Sequence, residues 1–323
     1  MSSKVFFERV DLLLVSARSQ NGTSLRESLC ELDFRNIRNA ESISDVMKAM
    51  AARPPDFMIS DYELPDGKIC DVIRDIRHHR IGINPFMSIL VTTWAPSEAL
   101  VREVADCGAD DLLVQPASRK QLTQRVEMLT YKRKPFVVTS NYIGPDRRTG
   151  PRPGKQIITP KIVPNVLLAR VLGKDESRRM QKEIDLAIEE INFDKLVRNA
   201  AHIGFMAQQI LNSLRKDEPD EVVWDMIDGL ILTTEETIHR LSSTSLSPLS
   251  KLCHSLIEVA RRMHEQLDSI TGRDLKLLPA LAMSIRLALK NVGQSAAAID
   301  EISQAMSGPA KIAAVDASQA APD

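Results

Sequence analysis

One carboxylate of this chain lies where chemistry commonly occurs in a protein. The apolar run Phe57-Met58-Ile59-Ser60 predicts a buried strand, Asp61 follows it directly, and Leu64-Pro65-Asp66-Gly67 predicts a sharp turn. Open α/β sheets bind ligands at the carboxyl ends of their strands. An aspartate delivered to that edge is therefore either a functional group or the remnant of one.

The elements that must position Asp61 alternate regularly over the first 130 residues. The apolar runs predict five strands at 10–15, 37–38, 57–60, 87–92 and 111–114, and helical spacing predicts five helices at 23–32, 43–52, 70–77, 97–107 and 119–131. Strands that alternate with helices form a doubly wound α/β fold with a five-stranded parallel sheet. We predict that residues 1–131 form this domain.

The composition of the whole chain excludes several classes of function. With 323 residues, the chain is long enough for two domains, and its net charge of -1 argues against nucleic-acid binding and membrane-surface binding. The four cysteines stand far apart and form no CxxC pair, which favours reduced thiols over a disulfide framework or a zinc site. Neither a signal peptide nor a run of about 18 apolar residues is present, so we expect a cytoplasmic protein without membrane insertion.

A change of composition follows the predicted α/β domain. Residues 132–173 are rich in Pro, Gly, Lys and Arg, which predicts a basic linker. Within it, Tyr142-Ile143-Gly144-Pro145-Asp146-Arg147-Arg148 resembles short extensions of bacterial signalling proteins. Its paired arginines could clamp a carboxylate or a phosphate, and the alternative is a solvated basic segment packed on the preceding domain.

Residues 174–307 carry apolar residues at helical spacing throughout. Four stripes, at 184–214, 222–241, 252–270 and 278–302, predict an all-α antiparallel four-helix bundle. We expect the bundle to continue into a homodimer, because pairing would bury its apolar faces more completely. Residues 308–323 are mainly Ala, Ser, Pro and Asp, and we predict a disordered tail.

Residues 8–130 resemble the receiver domain of bacterial response regulators. The resemblance depends on Asp61 with its Leu64-Pro65-Asp66-Gly67 turn, on Thr93 after the fourth strand, and on Gly108-Ala109-Asp110-Asp111 before the fifth. It implies a domain whose aspartate accepts a phosphoryl group from a histidine while Mg²⁺ neutralises the developing charge. Asp61 is the equivalent of that phosphoacceptor.

Several receiver-pocket positions depart from the pattern that the resemblance implies. The acidic pair after the first strand is replaced by Ser16 and Ala17, and the lysine before the proline is replaced by Gln115. The switch aromatic is replaced by Leu112, and bulky Trp94 follows the switch threonine Thr93. Glu63 is the acidic neighbour of Asp61 in its loop, and its side chain could partly replace the lost pair.

These departures predict a pseudo-receiver that acts by protein–protein binding in two-component signal transduction. We expect no enzymatic activity and no cofactor beyond weak Mg²⁺ binding at Asp61. The resemblance implies a histidine kinase, a phosphotransfer protein or another regulator as the partner.

Two alternatives remain open. The chain could be a phosphorelay carrier that accepts phosphate on Asp61 or on His202, which lies in a predicted helix of the bundle. It could instead be a phosphatase of a partner receiver, because Glu189-Glu190-Ile191-Asn192 has the Glu-x-x-Asn spacing of some chemotaxis phosphatases. Spacing of this kind also arises by chance in any long helix.

Overall fold

The structure is a computed structural model that describes residues 7–17, 19–148, 158–174, 177–215, 222–242, 244–265 and 271–307. Two compact units divide the chain, Met1–Lys195 and Leu196–Asp323. The predicted disordered tail lies outside the described residues.

The first unit begins with an alternation of strands and helices. Its elements up to residue 131 are β1 (Asp11–Val15), α1 (Ser19–Glu31), β2 (Asn36–Ala40), α2 (Ile43–Ala52), β3 (Phe57–Asp61), β4 (Glu63–Leu64), β5 (Gly67–Lys68), α3 (Ile69–Arg77), β6 (Ser88–Thr93), α4 (Glu98–Asp106), β7 (Asp111–Val114) and α5 (Arg119–Tyr131). A short 3₁₀ helix (Phe7–Arg9) precedes β1.

The predicted doubly wound fold is confirmed. The strands β2, β1, β3, β6 and β7 form one parallel sheet in that order, and β4 pairs with β5 in a small antiparallel ribbon. The central strands β1 and β6 are buried along their whole length, as expected when helices cover both faces of a parallel sheet. Two hydrophobic clusters, one around Ile89 and one around Phe57, fill the space between the sheet and its helices.

The segment predicted as a basic linker differs from that prediction where the structure describes it. It contains a hairpin of β8 (Phe136–Val138) and β9 (Ile143–Pro145), followed by α6 (Val166–Val171). Every residue of both strands is buried. The prediction of a linker was based on the Pro, Gly and basic residues of this segment. The hairpin forms instead because the apolar run at 136–138 is buried against Phe86.

A buried charge cluster attaches this hairpin to the sheet. Asp110, with a side chain only 2% exposed, pairs with Arg77 of α3 at 2.8 Å and with Arg133 at 2.8 Å. The two guanidinium groups lie over the Phe136 ring, each 5.1 Å from its centroid. The charge cluster of Arg77, Asp110 and Arg133 therefore joins α3, the start of β7 and the hairpin into one packing unit.

Two glycines allow the hairpin to approach the sheet closely. Gly108 has a φ of +92°, and a Cβ there would lie 2.7 Å from the carbonyl oxygen of Ile143. A Cβ on Gly144 would lie 2.9 Å from the Cα of Gly108. The Gly-Pro-Asp-Arg-Arg segment is thus packed on the loop before β7, and Arg147 donates a hydrogen bond to the carbonyl of Ala109.

Helix α6 packs against α5, and its Val166 lies in the same hydrophobic cluster as Phe136 of the hairpin. Asn165 caps its first turn and donates to the carbonyls of Leu129 and Thr130 at 3.1 and 3.0 Å. Arg170 pairs with Asp56 at 3.1 Å. Burial raises the pKa of the Asp56 carboxyl, and the nearby Arg170 opposes that change.

The rest of the chain is helical. It comprises α7 (Ser177–Leu214), α8 (Val222–Leu241), a 3₁₀ turn (Ser247–Leu249), α9 (Ser250–Glu265) and α10 (Asp274–Ser307). In the second unit, the part of α7 from Leu196 onward shares one hydrophobic core with the other three helices. The predicted helical fold of this region is confirmed. No helix among the described residues is both long enough and apolar enough to cross a membrane.

Candidate functional site

Asp61 is the last residue of β3 and the only one of that strand that is not fully buried. Its neighbours on the sheet are the carboxyl ends of β1 and β6, since Ser60 pairs with Val15 and Asp61 pairs with Thr92. The strand geometry therefore delivers the carboxylate to the predicted edge. The described side chains around the Asp61 carboxylate determine its reactivity at this edge.

Both oxygens of the Asp61 carboxylate accept hydrogen bonds from hydroxyl groups. Ser16 donates from Oγ to Oδ2 at 2.8 Å, and Thr92 donates from Oγ1 to Oδ1 at 2.6 Å. Hydrogen bonds to a carboxylate are short and charge-assisted, and these two come from neutral hydroxyl groups that add no positive charge. The carboxylate is held between two neutral donors.

Thr92 is the functional residue that the sequence analysis did not single out. The resemblance pointed to Thr93, whose Oγ1 instead accepts a hydrogen bond from the backbone N–H of Ala95 at 3.4 Å. Successive side chains of a strand point to opposite faces, so only one of two adjacent threonines can reach Asp61. The signal that identifies Thr92 is the β3–β6 register, which depends on the pairing of distant segments.

The remaining receiver-pocket positions lie around this site in different environments. Ala17 and Glu63 are exposed, and Trp94 is 45% exposed directly after β6. Leu112 is half-buried against the hydrophobic core around Ile89. The Gln115 side chain accepts from the backbone N–H of Ala117 at 3.0 Å, so it is engaged locally.

The residues present do not fit a tight Mg²⁺ site. Mg²⁺ in proteins is held by carboxylate oxygens in a near-octahedral shell, and here Ser16 and Ala17 supply none. Within the ranges that the structure describes, no three carboxylate, imidazole or thiol side chains converge on a point. Asp61 offers one carboxylate, and its oxygens are already hydrogen-bonded.

The loop after Asp61 is anchored at two points. Tyr62 donates to Glu103 of α4, and Lys68 pairs with the same carboxylate at 3.0 Å. Hydrogen bonds from these two side chains lower the pKa of the Glu103 carboxyl. Asp66 accepts from the backbone N–H groups of Ile43 and Ser44 at 2.7 and 3.0 Å, which lowers the pKa of its carboxyl.

These contacts explain the turn motif in structural terms. Asp66 satisfies two N–H groups at the start of α2, a position where a carboxylate also interacts favourably with the helix dipole. Gly67 has a φ of +142°, and a Cβ there would lie 3.1 Å from the Ile43 side chain. The motif thus holds the Asp61 loop in place between α2 and α4.

The two candidate positions in the helical part lie on α7. His202 is half-buried, and one helical turn before it the buried Asn199 donates to Glu236 and Thr237 of α8 at 3.2 and 3.3 Å. In the first unit, Glu189 is exposed and Asn192 is half-buried.

The strand order, with Asp61 at the carboxyl end of β3, defines a doubly wound α/β domain. Comparison with known proteins shows which family this domain matches. Residues 12–127 match the family model for the response regulator receiver domain. The "Probable chemotaxis protein CheY" of Rhizobium etli is 26% identical over 121 residues, which cover 37% of this chain and 92% of that protein.

Solved receiver structures are similar to about a third of this chain. The receiver domain of a sensor histidine kinase from Pseudomonas aeruginosa, with a magnesium ion in its active-site cleft, is 20% identical, with a TM-score of 0.33 and coverage of 36% of this chain and 94% of that one. The chemotaxis protein CheY4 of Vibrio cholerae is 19% identical, with a TM-score of 0.32 and coverage of 36% and 94%. The family match assigns residues 12–127 to the response regulator receiver domain of two-component signalling.

Proposed function

We propose that this receiver domain is a pseudo-receiver, which acts in two-component signalling by binding other proteins and does not transfer phosphate. The observation that supports the proposal most strongly is the hydrogen bonding of the Asp61 carboxylate. Both of its oxygens are occupied by hydroxyl donors, at 2.8 and 2.6 Å, where a phosphorylatable aspartate needs a metal ion and an open oxygen.

The charges around the site favour this proposal. The transition state of phosphoryl transfer spreads negative charge over the equatorial oxygens, and cations must neutralise it. The acidic pair that would hold Mg²⁺ is replaced by Ser16 and Ala17, and the lysine position is Gln115. Losing one preorganised charge typically lowers a rate by about 10² to 10³. Losing the metal ligands and the lysine together leaves Asp61 without electrostatic support.

The same edge of the sheet offers a surface for protein recognition. Trp94, Val101 and Val114 are large apolar side chains, each with nearly half of its surface exposed. Tryptophan is enriched among the residues that dominate binding energy at interfaces. We therefore propose Trp94 as the anchor residue for a histidine kinase, a phosphotransfer protein or another regulator. A homodimer through the helical part remains a prediction that sedimentation equilibrium tests.

The direct test is a Mg²⁺ titration followed by Trp94 fluorescence. The chain has two tryptophans, Trp94 and Trp224, so Trp224→Phe makes Trp94 the sole reporter. The proposal expects no saturable response at physiological Mg²⁺ and no label incorporation from acetyl phosphate. A response and an incorporation that Asp61→Asn both removes would establish a phosphorelay carrier. If His202→Ala removes the incorporated label, the phosphate is carried by the helical part.

A gain-of-function variant provides the matched control. Ser16→Asp with Ala17→Asp places the acidic pair beside Asp61, and Gln115→Lys adds the missing cation. Because three carboxylates at one edge can share a divalent ion, this triple variant should show the Mg²⁺-dependent quenching that the parent lacks. If the parent and the triple variant respond identically, the missing charges are not the reason for inactivity.

A further inference from the structure

A cavity of about 240 Å³ lies in the first unit, at the edge of the sheet opposite Asp61. Four segments line it: the loop from Arg53 to Asp56, Ile83 and Asn84 before β6, helix α6, and the first turns of α7. Typical sites for drug-sized molecules have volumes of about 300–1,000 Å³. The cavity is therefore sized for a smaller molecule.

Two hydrogen-bond donors in the cavity lining have no partner among the described residues. Asn84 is only 9% exposed and accepts from the backbone N–H of Phe86 through Oδ1 at 3.0 Å, which leaves its Nδ2 group unused. Arg53 contacts Asp11 through Nε at 2.6 Å and Nη2 at 2.5 Å, which leaves its Nη1 group unused. The Arg53 side chain is 61% exposed, and neither donor is among the fully buried polar atoms that lack a partner, so both can exchange water for an acceptor.

The charge and the remaining lining restrict the chemistry of that acceptor. Arg53 and Arg170 contribute two positive charges to the lining, and Asp56 contributes one negative charge. The apolar part of the lining is larger and consists of Pro54, Pro55, Ile83, Val166, Ala169, Met180 and Ile184. Such a site complements an anionic group with two acceptor oxygens on a compact hydrocarbon body.

We propose that this cavity binds a small organic carboxylate with a branched apolar body. The carboxylate accepts hydrogen bonds from Nδ2 of Asn84 and Nη1 of Arg53, and the hydrocarbon part contacts the two prolines and Met180. The guanidinium fork suits a carboxylate in particular, because its N–H groups match the spacing of the two oxygens.

The test uses isovalerate as the probe and isothermal titration calorimetry on the full chain. We expect saturable binding with a dissociation constant on the order of 1 mM, given the few atoms of the probe. Isovaleramide, which has the same shape without charge, should bind at least about tenfold more weakly. Inorganic phosphate, which has charge without an apolar body, should also bind at least about tenfold more weakly.

Three variants separate specific binding from general effects. Asn84→Asp keeps the acceptor for the Phe86 N–H but replaces the open donor with a negative oxygen, so isovalerate affinity should fall at least about tenfold. Ile83→Trp fills the mouth of the cavity from an exposed position and should abolish binding. Arg35→Gln changes an exposed arginine outside the lining and should leave affinity unchanged.

The melting temperature of each variant without ligand shows whether the domain is folded. Retained affinity in folded Asn84→Asp or folded Ile83→Trp would overturn the proposal. Absence of saturable binding by the parent up to about 10 mM isovalerate would overturn it as well. Equal affinity for phosphate and isovalerate would show recognition of charge alone and would also contradict it.

Discussion

Replacing Asp110 by Asn should destabilise the receiver domain more than almost any other single polar substitution. The carboxylate accepts four hydrogen bonds, from Arg77, from Nε and Nη2 of Arg133, and from the backbone N–H of Ile89, at 2.8 to 3.1 Å. Three of these come from guanidinium groups that are themselves almost fully buried. Asparagine keeps the shape but removes the charge that balances two buried cations.

The expected loss of unfolding free energy follows from the burial of this charge cluster. Removing one partner of a buried ion pair costs about 3–5 kcal/mol, because the remaining charge is left uncompensated. With a urea m-value of about 2 kcal/mol/M, a loss of about 4 kcal/mol lowers the midpoint of unfolding by about 2 M. That is a large fraction of the stability of about 5–15 kcal/mol that is typical of a domain.

The adjacent residue supplies the matched control. Asp111 pairs with Arg125 at 2.9 Å, but the Arg125 side chain is about half exposed, so Asp111→Asn should cost less than about 1 kcal/mol. The assay is urea unfolding of both variants in the Trp224→Phe background, with Trp94 fluorescence as the reporter of the receiver domain. If the two variants have the same midpoint, the cluster does not hold the hairpin on the sheet and this reasoning is wrong.

Three further predictions concern the same domain. Burial opposes ionisation of Asp110, but the charges of Arg133 and Arg77 outweigh burial and lower the pKa of this carboxyl below its unfolded value of about 3.9. The stability that ionised Asp110 contributes is therefore present above about pH 4 and is lost as the pH falls further. Urea midpoints at successively lower pH should therefore converge for the parent and Asp110→Asn. Gly108→Ala should lower the free energy of unfolding of the receiver domain by more than about 1 kcal/mol, because Gly108 has a positive φ and the carbonyl of Ile143 lies close to it. In thermal unfolding, the control Gly272→Ala, which lies in the second unit and meets nothing within 4 Å, should be nearly neutral. Tyr62→Phe should cost about 1 kcal/mol in chemical denaturation by removing the hydrogen bond to α4, and an unchanged midpoint would refute that contribution.

The sequence was sufficient to predict the sheet and the position of Asp61, because both depend on local patterns. The strand β7 and the helices α2 and α5 begin and end at the predicted residues. Apolar runs mark buried strands, and an aspartate directly after such a run must lie at the strand end. The replacement of the acidic pair was also readable, because it concerns residue types at fixed distances from β1.

The contacts of the site could not be predicted in the same way. Thr92 reaches Asp61 only because β3 and β6 pair in one particular register. The fixation of the hairpin depends on Arg77 and Asp110, which are separated from Arg133 by more than 20 residues each. Such long-range pairings leave no periodic signal, and the basic residues around them favoured a linker interpretation instead.

The attachment of the hairpin has a consequence for protein engineering. Receiver domains are natural candidates for exchange between proteins, and the end of α5 at Tyr131 is the obvious place to cut this one. A chimera joined there would carry Asp110 and Arg77 without Arg133, and Phe86 without Phe136. The smallest transferable module of this chain therefore includes the hairpin and α6, and libraries of fusions should place their junctions after Val171.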